Sequence, residues 1–141
     1  MQFELRGIVA LIEVFNVSES IEFYRRTLGF ELHQSAGEGS YLGWAWLKRG
    51  DIELMLNSMY DPGDEPAIPD AARTAAHRDT TLYIGCPDVE RAYEHLRKEG
   101  VRVAKPTVAP YGMKQLPFRD PDGYGICLQW PASESSSEAG S

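Results

Sequence analysis

Apolar and polar positions alternate strictly over several short stretches of this chain. From Gly7 to Val14, Ile8, Ala10, Ile12 and Val14 fall on one side, and Gly7, Val9, Leu11 and Glu13 on the other. A period of two is the pleat of a β-strand. The period then changes. Asn16, with Glu19 three residues on, has the form of a helix N-cap and capping box. Val17, Ile21, Tyr24 and Leu28 follow at helical spacing, and Gly29 stands where a left-handed residue closes a helix. Alternation resumes at Phe30–Ala36, Tyr41–Lys48 and Ile52–Asn57, separated by turns at Gly37-Glu38-Gly39 and Arg49-Gly50-Asp51.

The second half repeats this order. Thr80–Cys86 alternates, Asp88 can cap a helix with Val89, Ala92, Tyr93 and Leu96 on its buried stripe, and Gly100 ends it. Strands are expected over Val101–Val108, about Met113–Arg119 and Tyr124–Trp130. The last of these follows Asp120-Pro121-Asp122-Gly123, which is tight-turn chemistry. Each half therefore reads β-α-β-β-β. Between them, residues 58–79 carry Pro62, Pro66 and Pro69 among acidic residues, then an Ala-rich piece from Ala71 to Ala76. A connection this long is usually functional or joins two units.

The expected class is α+β. The expected organisation is one domain over residues 1–131, with module one at about 5–57, a linker at 58–79 and module two at about 80–131. The Ser-, Glu- and Gly-rich end at 132–141 is expected to be a disordered tail. One helix per module can cover only one sheet face, so the other face must be buried by the second module or a ligand. We expect the two modules to pair into a curved sheet around a cleft. Even-numbered residues of the strands at 7–14, 52–57, 80–86 and 125–130 then face the helices. Odd-numbered residues face the cleft: Val9, Leu11 and Glu13; Glu53, Met55 and Asn57; Thr81 and Tyr83; Cys127 and Gln129.

Composition narrows the ligand. The 141 residues carry a formal net charge of −7, which disfavours nucleic acid, since that binding runs on Lys and Arg. It mildly favours neutral or cationic ligands. Two cysteines, Cys86 and Cys127, without metal-type spacing fit a reduced, cytoplasmic protein. No apolar run approaches membrane-spanning length, and the N-terminus lacks signal-peptide character. Cys127 reads as a small buried filler, with no basic neighbour placed to activate it. His33 and His95 read as surface residues and His77 as a solvated loop residue. Tyr24 and Tyr93 read as core, Asp120, Asp122 and Gly123 as turn residues, and Arg119 as a surface residue beside the turn.

Several motifs together resemble the vicinal oxygen chelate superfamily, which includes glyoxalase I, extradiol dioxygenases, fosfomycin-resistance transferases and bleomycin-resistance proteins. They are Ser20-Ile21-Glu22-Phe23-Tyr24 leading to Leu28-Gly29-Phe30, Asp51-Ile52-Glu53-Leu54, the Pro87-Asp88 helix start, and Phe118-Arg119-Asp120-Pro121-Asp122-Gly123-Tyr124. The resemblance spans roughly residues 5–131 and implies the paired β-α-β-β-β fold and a homodimer. It places the metal-ligand positions of the enzymes at Val9, Glu53, Thr81 and Cys127. Of these only Glu53 is a usual ligand, and a divalent ion needs several imidazoles or carboxylates together. The expectation is therefore no metal and no cofactor.

The resemblance is nearest to the bleomycin-resistance-like members, which hold a drug in an acidic, aromatic-lined groove. The expected ligand-binding residues are Leu11, Glu13, Trp44, Trp46, Glu53, Met55, Thr81, Tyr83, Cys127 and Gln129, with Tyr60 or Tyr111 at the mouth. The expected partner is a small, cationic or aromatic molecule. Two alternatives stay open at this point: a metal-dependent lyase, isomerase or dioxygenase with an atypical ligand set, and metal-free catalysis with Glu53, or Glu13, as general base.

Overall fold

A computed structural model describes residues 2–134. They fall into two compact units that divide between Ala67 and Ile68, inside the proline-bearing linker. Each unit is a four-stranded mixed sheet with a helix packed on one face. This is the expected α+β class.

In the first unit, β1 (Ala10–Val14) is followed by α1 (Val17–Leu28), β2 (Glu31–Glu38), β3 (Tyr41–Arg49) and β4 (Ile52–Ser58). The sheet order is β1-β4-β3-β2, with β1 parallel to β4 and the other pairs antiparallel. The capping reading of α1 holds. Asn16 is extended and its side chain accepts the Glu19 N–H at 3.0 Å. Gly29 sits at φ 71°, where the chain reverses and the Phe30 N–H reaches back to the Tyr24 carbonyl. Arg49, at the end of β3, donates to the Leu28 carbonyl at 2.9 Å and so ties the helix end to the sheet. Ile12, Val14, Ala45, Leu47, Leu54 and Leu56 are buried under α1 with Val17, Phe23, Tyr24 and Leu28. The even-numbered residues of β1 and β4 therefore face the helix as the alternation implies.

The second unit contains α2 (Ala71–Ala76), β5 (Thr81–Gly85), α3 (Val89–Lys98), β6 (Thr107–Val108), β7 (Met113–Arg119) and β8 (Gly125–Pro131), in the sheet order β5-β8-β7-β6. Asp88 caps α3 and Gly100 follows it at φ 80°. Leu96, Leu116, Phe118, Ile126 and Leu128 are buried in its core. The strand expected over Val101–Val108 shrinks to two residues. Pro106 lacks an N–H for a ladder, and the segment before it lies outside the sheet. Among the expected tail residues, Ala132–Glu134 forms one 3-10 turn. Residues 135–141 lie outside the described residues. Among the described residues, no helix is long and apolar enough to cross a membrane.

The Asp-Pro-Asp-Gly turn is built as expected, and it carries more than a reversal of direction. Buried Asp120 accepts the N–H groups of Asp122 and Tyr124 at 2.9 and 3.0 Å through one carboxylate oxygen. Arg119 donates to the Gly123 carbonyl at 3.0 Å. Gly123 has φ 91°, and a Cβ there would lie 2.4 Å from the Thr74 carbonyl oxygen, so only glycine lets α2 approach. His77 is not a solvated loop residue. Its ring stacks on Tyr124 at 4.1 Å between centroids and 9° between planes. Its Nδ1 is 2.5 Å from the Asp122 carbonyl, which can only accept, so Nδ1 carries a proton.

Candidate functional site

In the first unit the face opposite α1 is a continuous row system. Leu11 pairs with Met55 and Glu13 with Asn57 across β1 and β4. Met55 pairs with Trp46, Asn57 with Trp44, and Glu53 with Lys48 across β4 and β3. Six of the expected residues, Leu11, Glu13, Trp44, Trp46, Glu53 and Met55, therefore share one sheet face. Leu11 is exposed, and the other five are half-buried.

Polar contacts divide this face into two neighbourhoods. At one end the Asn57 amide donates to both Glu13 oxygens at 3.1 Å, which fixes the carboxylate on the β1 side of Asn57, with Trp44 on its β3 side. At the other, Trp46 Nε1 donates to Glu53 Oε1 at 3.0 Å, and Lys48 Nζ lies 3.5 Å from the same oxygen. That ammonium also sits 4.7 Å from the Trp46 ring centroid. The two indoles are 6.5 Å apart and tilted at 51°. His33 is exposed, as expected of a surface residue. The β2–β3 pairing is irregular between Leu32 and Gln34, and the His33 ring meets Trp46 edge-on at 4.7 Å.

The Trp44 end opens into a groove of about 690 Å³. Its walls include Trp44, Tyr41, Tyr60, Asn57, Glu38 and Asp61. The Tyr41 hydroxyl donates to the Tyr60 carbonyl at 2.7 Å, and Tyr60 stacks on Phe15, which hold the loop after β4 as one wall. Strict alternation back from Trp44 selects Leu42 for this face, so Tyr41 was missed. The pairing is irregular at this point: Ala36 faces Trp44, and Gly37 faces Leu42. Gly43 lets the Tyr41 ring fold beneath it, since a Cβ there would be 3.2 Å from the ring. A Cβ at Gly37 would be 2.0 Å from the Tyr41 carbonyl oxygen. A glycine in each strand of one hairpin, Gly37 and Gly43, was the available signal for a bulge.

The remaining expected residues belong to the second unit. Tyr83 pairs with Cys127, Thr81 with Gly125, and Gly85 with Gln129. Thr81, Tyr83 and Cys127 line a cavity of about 270 Å³ with Gln115, Pro117 and Arg119. Gln129 lies beside it and accepts from Gln115 at 2.9 Å. Tyr111 donates no wall to that cavity, and its hydroxyl meets Gln115. Cys127 is buried, as expected of a filler, and burial pushes its thiol pKa up. Tyr24 is core, whereas Tyr93 is half-buried under the Arg97 guanidinium.

The four positions implied for a metal do not make a fitting donor set. Val9 offers only hydrocarbon. Glu53 already accepts from Trp46 and Lys48. Thr81 is a weak donor, and the Cys127 thiol is disfavoured as a thiolate by burial. Among the described residues, no group of three or more His, Cys, Asp or Glu is placed to hold a metal ion.

Comparison with known proteins agrees with this architecture. Residues 9–128 match the model of the glyoxalase/bleomycin resistance protein/dioxygenase superfamily. Among solved structures, TioX from Micromonospora sp. ML1 superposes with a TM-score of 0.70 at 15% identity, covering 89% of this chain and 98% of that one. A bleomycin-binding protein complexed with bleomycin gives 0.67 at 21% identity, with 89% and 98% covered. The protein SMU.1112c gives 0.67 at 27% identity, with 90% and 100% covered. The family match covers most of the sequence, and the chain belongs to the glyoxalase/bleomycin resistance protein/dioxygenase superfamily.

Proposed function

We propose that this protein binds a planar, cationic small molecule in the groove of its first unit, without a metal, as a sequestering protein rather than a catalyst. The observation that carries the reading is the combination at one end of one sheet. A half-buried indole, Trp44, and two tyrosines line a groove of about 690 Å³, Glu38 and Asp61 in the lining supply negative charge, and Asn57 of the same wall holds the Glu13 carboxylate. An indole face and phenol rings stack on planar heterocycles and attract cations. Carboxylates at the rim then select the sign of the ligand. The bleomycin-bound relative supports the ligand class. Glu53 is not assigned a general-base role, because Trp46 and Lys48 occupy its Oε1.

Thermal denaturation in a chelator, with ethidium and with metal-free bleomycin as probes, tests this. A ligand that binds only the folded state raises Tm with the logarithm of its concentration above Kd. We expect at least one probe to do so, and Trp44→Ala to weaken it by about tenfold or more, since stacking and cation–π terms together reach roughly 1.4 kcal/mol. An unshifted Tm with both probes, or equal shifts in wild type and Trp44→Ala, would overturn the proposal.

A further inference from the structure

The same sheet face contains a second cation-accepting position, and the chain fills it itself. Trp46 presents its ring, and Glu53 its carboxylate, to one point beside β3 and β4. Lys48 Nζ occupies that point, 4.7 Å from the ring centroid and 3.5 Å from Glu53 Oε1. Glu31 stands opposite Lys48 on the β2 side. We propose that Lys48 is a built-in counter-cation that limits this face to ligands with one positive charge at the Trp44 end, by denying a second charge the Trp46–Glu53 position.

The inference rests on the reading of this face as a ligand-binding face and adds the residue that sets its charge specificity. A ligand charge reaching for Trp46 must displace an ammonium tethered two residues along the same strand. Such a tethered group competes at a high effective concentration. Lys48 is only moderately covered, with 37% of its side chain exposed. Its contacts are of the exposed kind and individually weak, so its removal is structurally tolerable. The centres of the two indoles are 6.5 Å apart, a span that a short alkylammonium arm on a planar ring can bridge.

Ethidium and propidium share one planar cationic ring system, and propidium adds a quaternary ammonium arm. Their Kd values are to be compared in wild type, Lys48→Met, Lys48→Met/Glu53→Gln and Lys98→Met. The last is a control of equal net charge with its change on α3. The expected result is that Lys48→Met tightens propidium at least about tenfold and ethidium less than about threefold. The double variant is expected to restore the wild-type ratio, and Lys98→Met to leave it unchanged. A propidium-to-ethidium ratio unaltered by Lys48→Met would overturn the proposal. Failure of either dye to bind any form would count against the groove reading instead. The Lys48 position would then be read with tetramethylammonium, by the shift of the Trp46 indole N–H signal. A shift in Lys48→Met at concentrations that leave wild type unmoved supports the proposal. Identical behaviour of the two proteins overturns it.

Discussion

Cys127 shows how far a single side chain can be separated from the function its position suggests. It lies on the open-face register of β8, opposite Tyr83, yet it is 4% exposed, and desolvation raises its thiol pKa. A raised folded-state pKa means that the unfolded chain loses the proton first. The contribution of the neutral thiol is therefore complete below the unfolded thiol pKa of about 8.5 and declines as pH rises through and beyond it. Two outcomes are expected with a thiol-reactive disulfide reagent at pH 8. The half-exposed Cys86 reacts in the folded protein, and Cys127 reacts only with unfolding. Rapid modification of folded Cys86→Ser protein would show that the thiol is accessible and ionised.

At the scale of elements, the most consequential junction is the docking of α2 on the turn before β8. Gly123 admits the Thr74 backbone, Asp120 organises the turn, and His77 clamps the end of α2 by stacking on Tyr124 and bonding to the Asp122 carbonyl. Arg73 and Arg78 flank this clamp and are exposed. We expect His77→Ala to speed tryptic cleavage after Arg73 and Arg78 several-fold, with the remaining sites of the unit unchanged. Equal digestion rates would mean that the ring contact does not restrain the segment.

The elements themselves were legible because their signals are local. Caps, C-terminal glycines and strict alternation located α1, α3 and six of the eight strands closely, and the alternation put Trp44 with Trp46 on one face of β3 and Glu53 with Met55 on one face of β4. Three things were not legible. Bulges at His33 and Gly43 break the alternation, and they bring His33 to Trp46 and Tyr41 into the groove. The seat of His77 depends on a contact 45 positions along the chain. Lys48 has no apolar character to mark it, and its role depends on the strand register that sets Glu53 opposite.

For the whole molecule, a net charge of −7 biases the surroundings of any site toward cations, but the charge is spread and does not choose a site. In the proposed reading, choice comes from the pairing of aromatic faces with carboxylates on the first sheet. Of the expected residues, six lie on the face of the first unit that carries the groove, and Thr81, Tyr83 and Cys127 line a smaller cavity of the second unit. The central claim is that the Trp44 groove is where a planar cation binds. The chain has three tryptophans, Trp44, Trp46 and Trp130, so each indole N–H is a separate reporter in a proton–nitrogen correlation spectrum. In a titration with ethidium in a chelator, the account predicts a saturable shift of the Trp44 signal and a smaller one at Trp46. Saturation at Trp130 with Trp44 unmoved would contradict it.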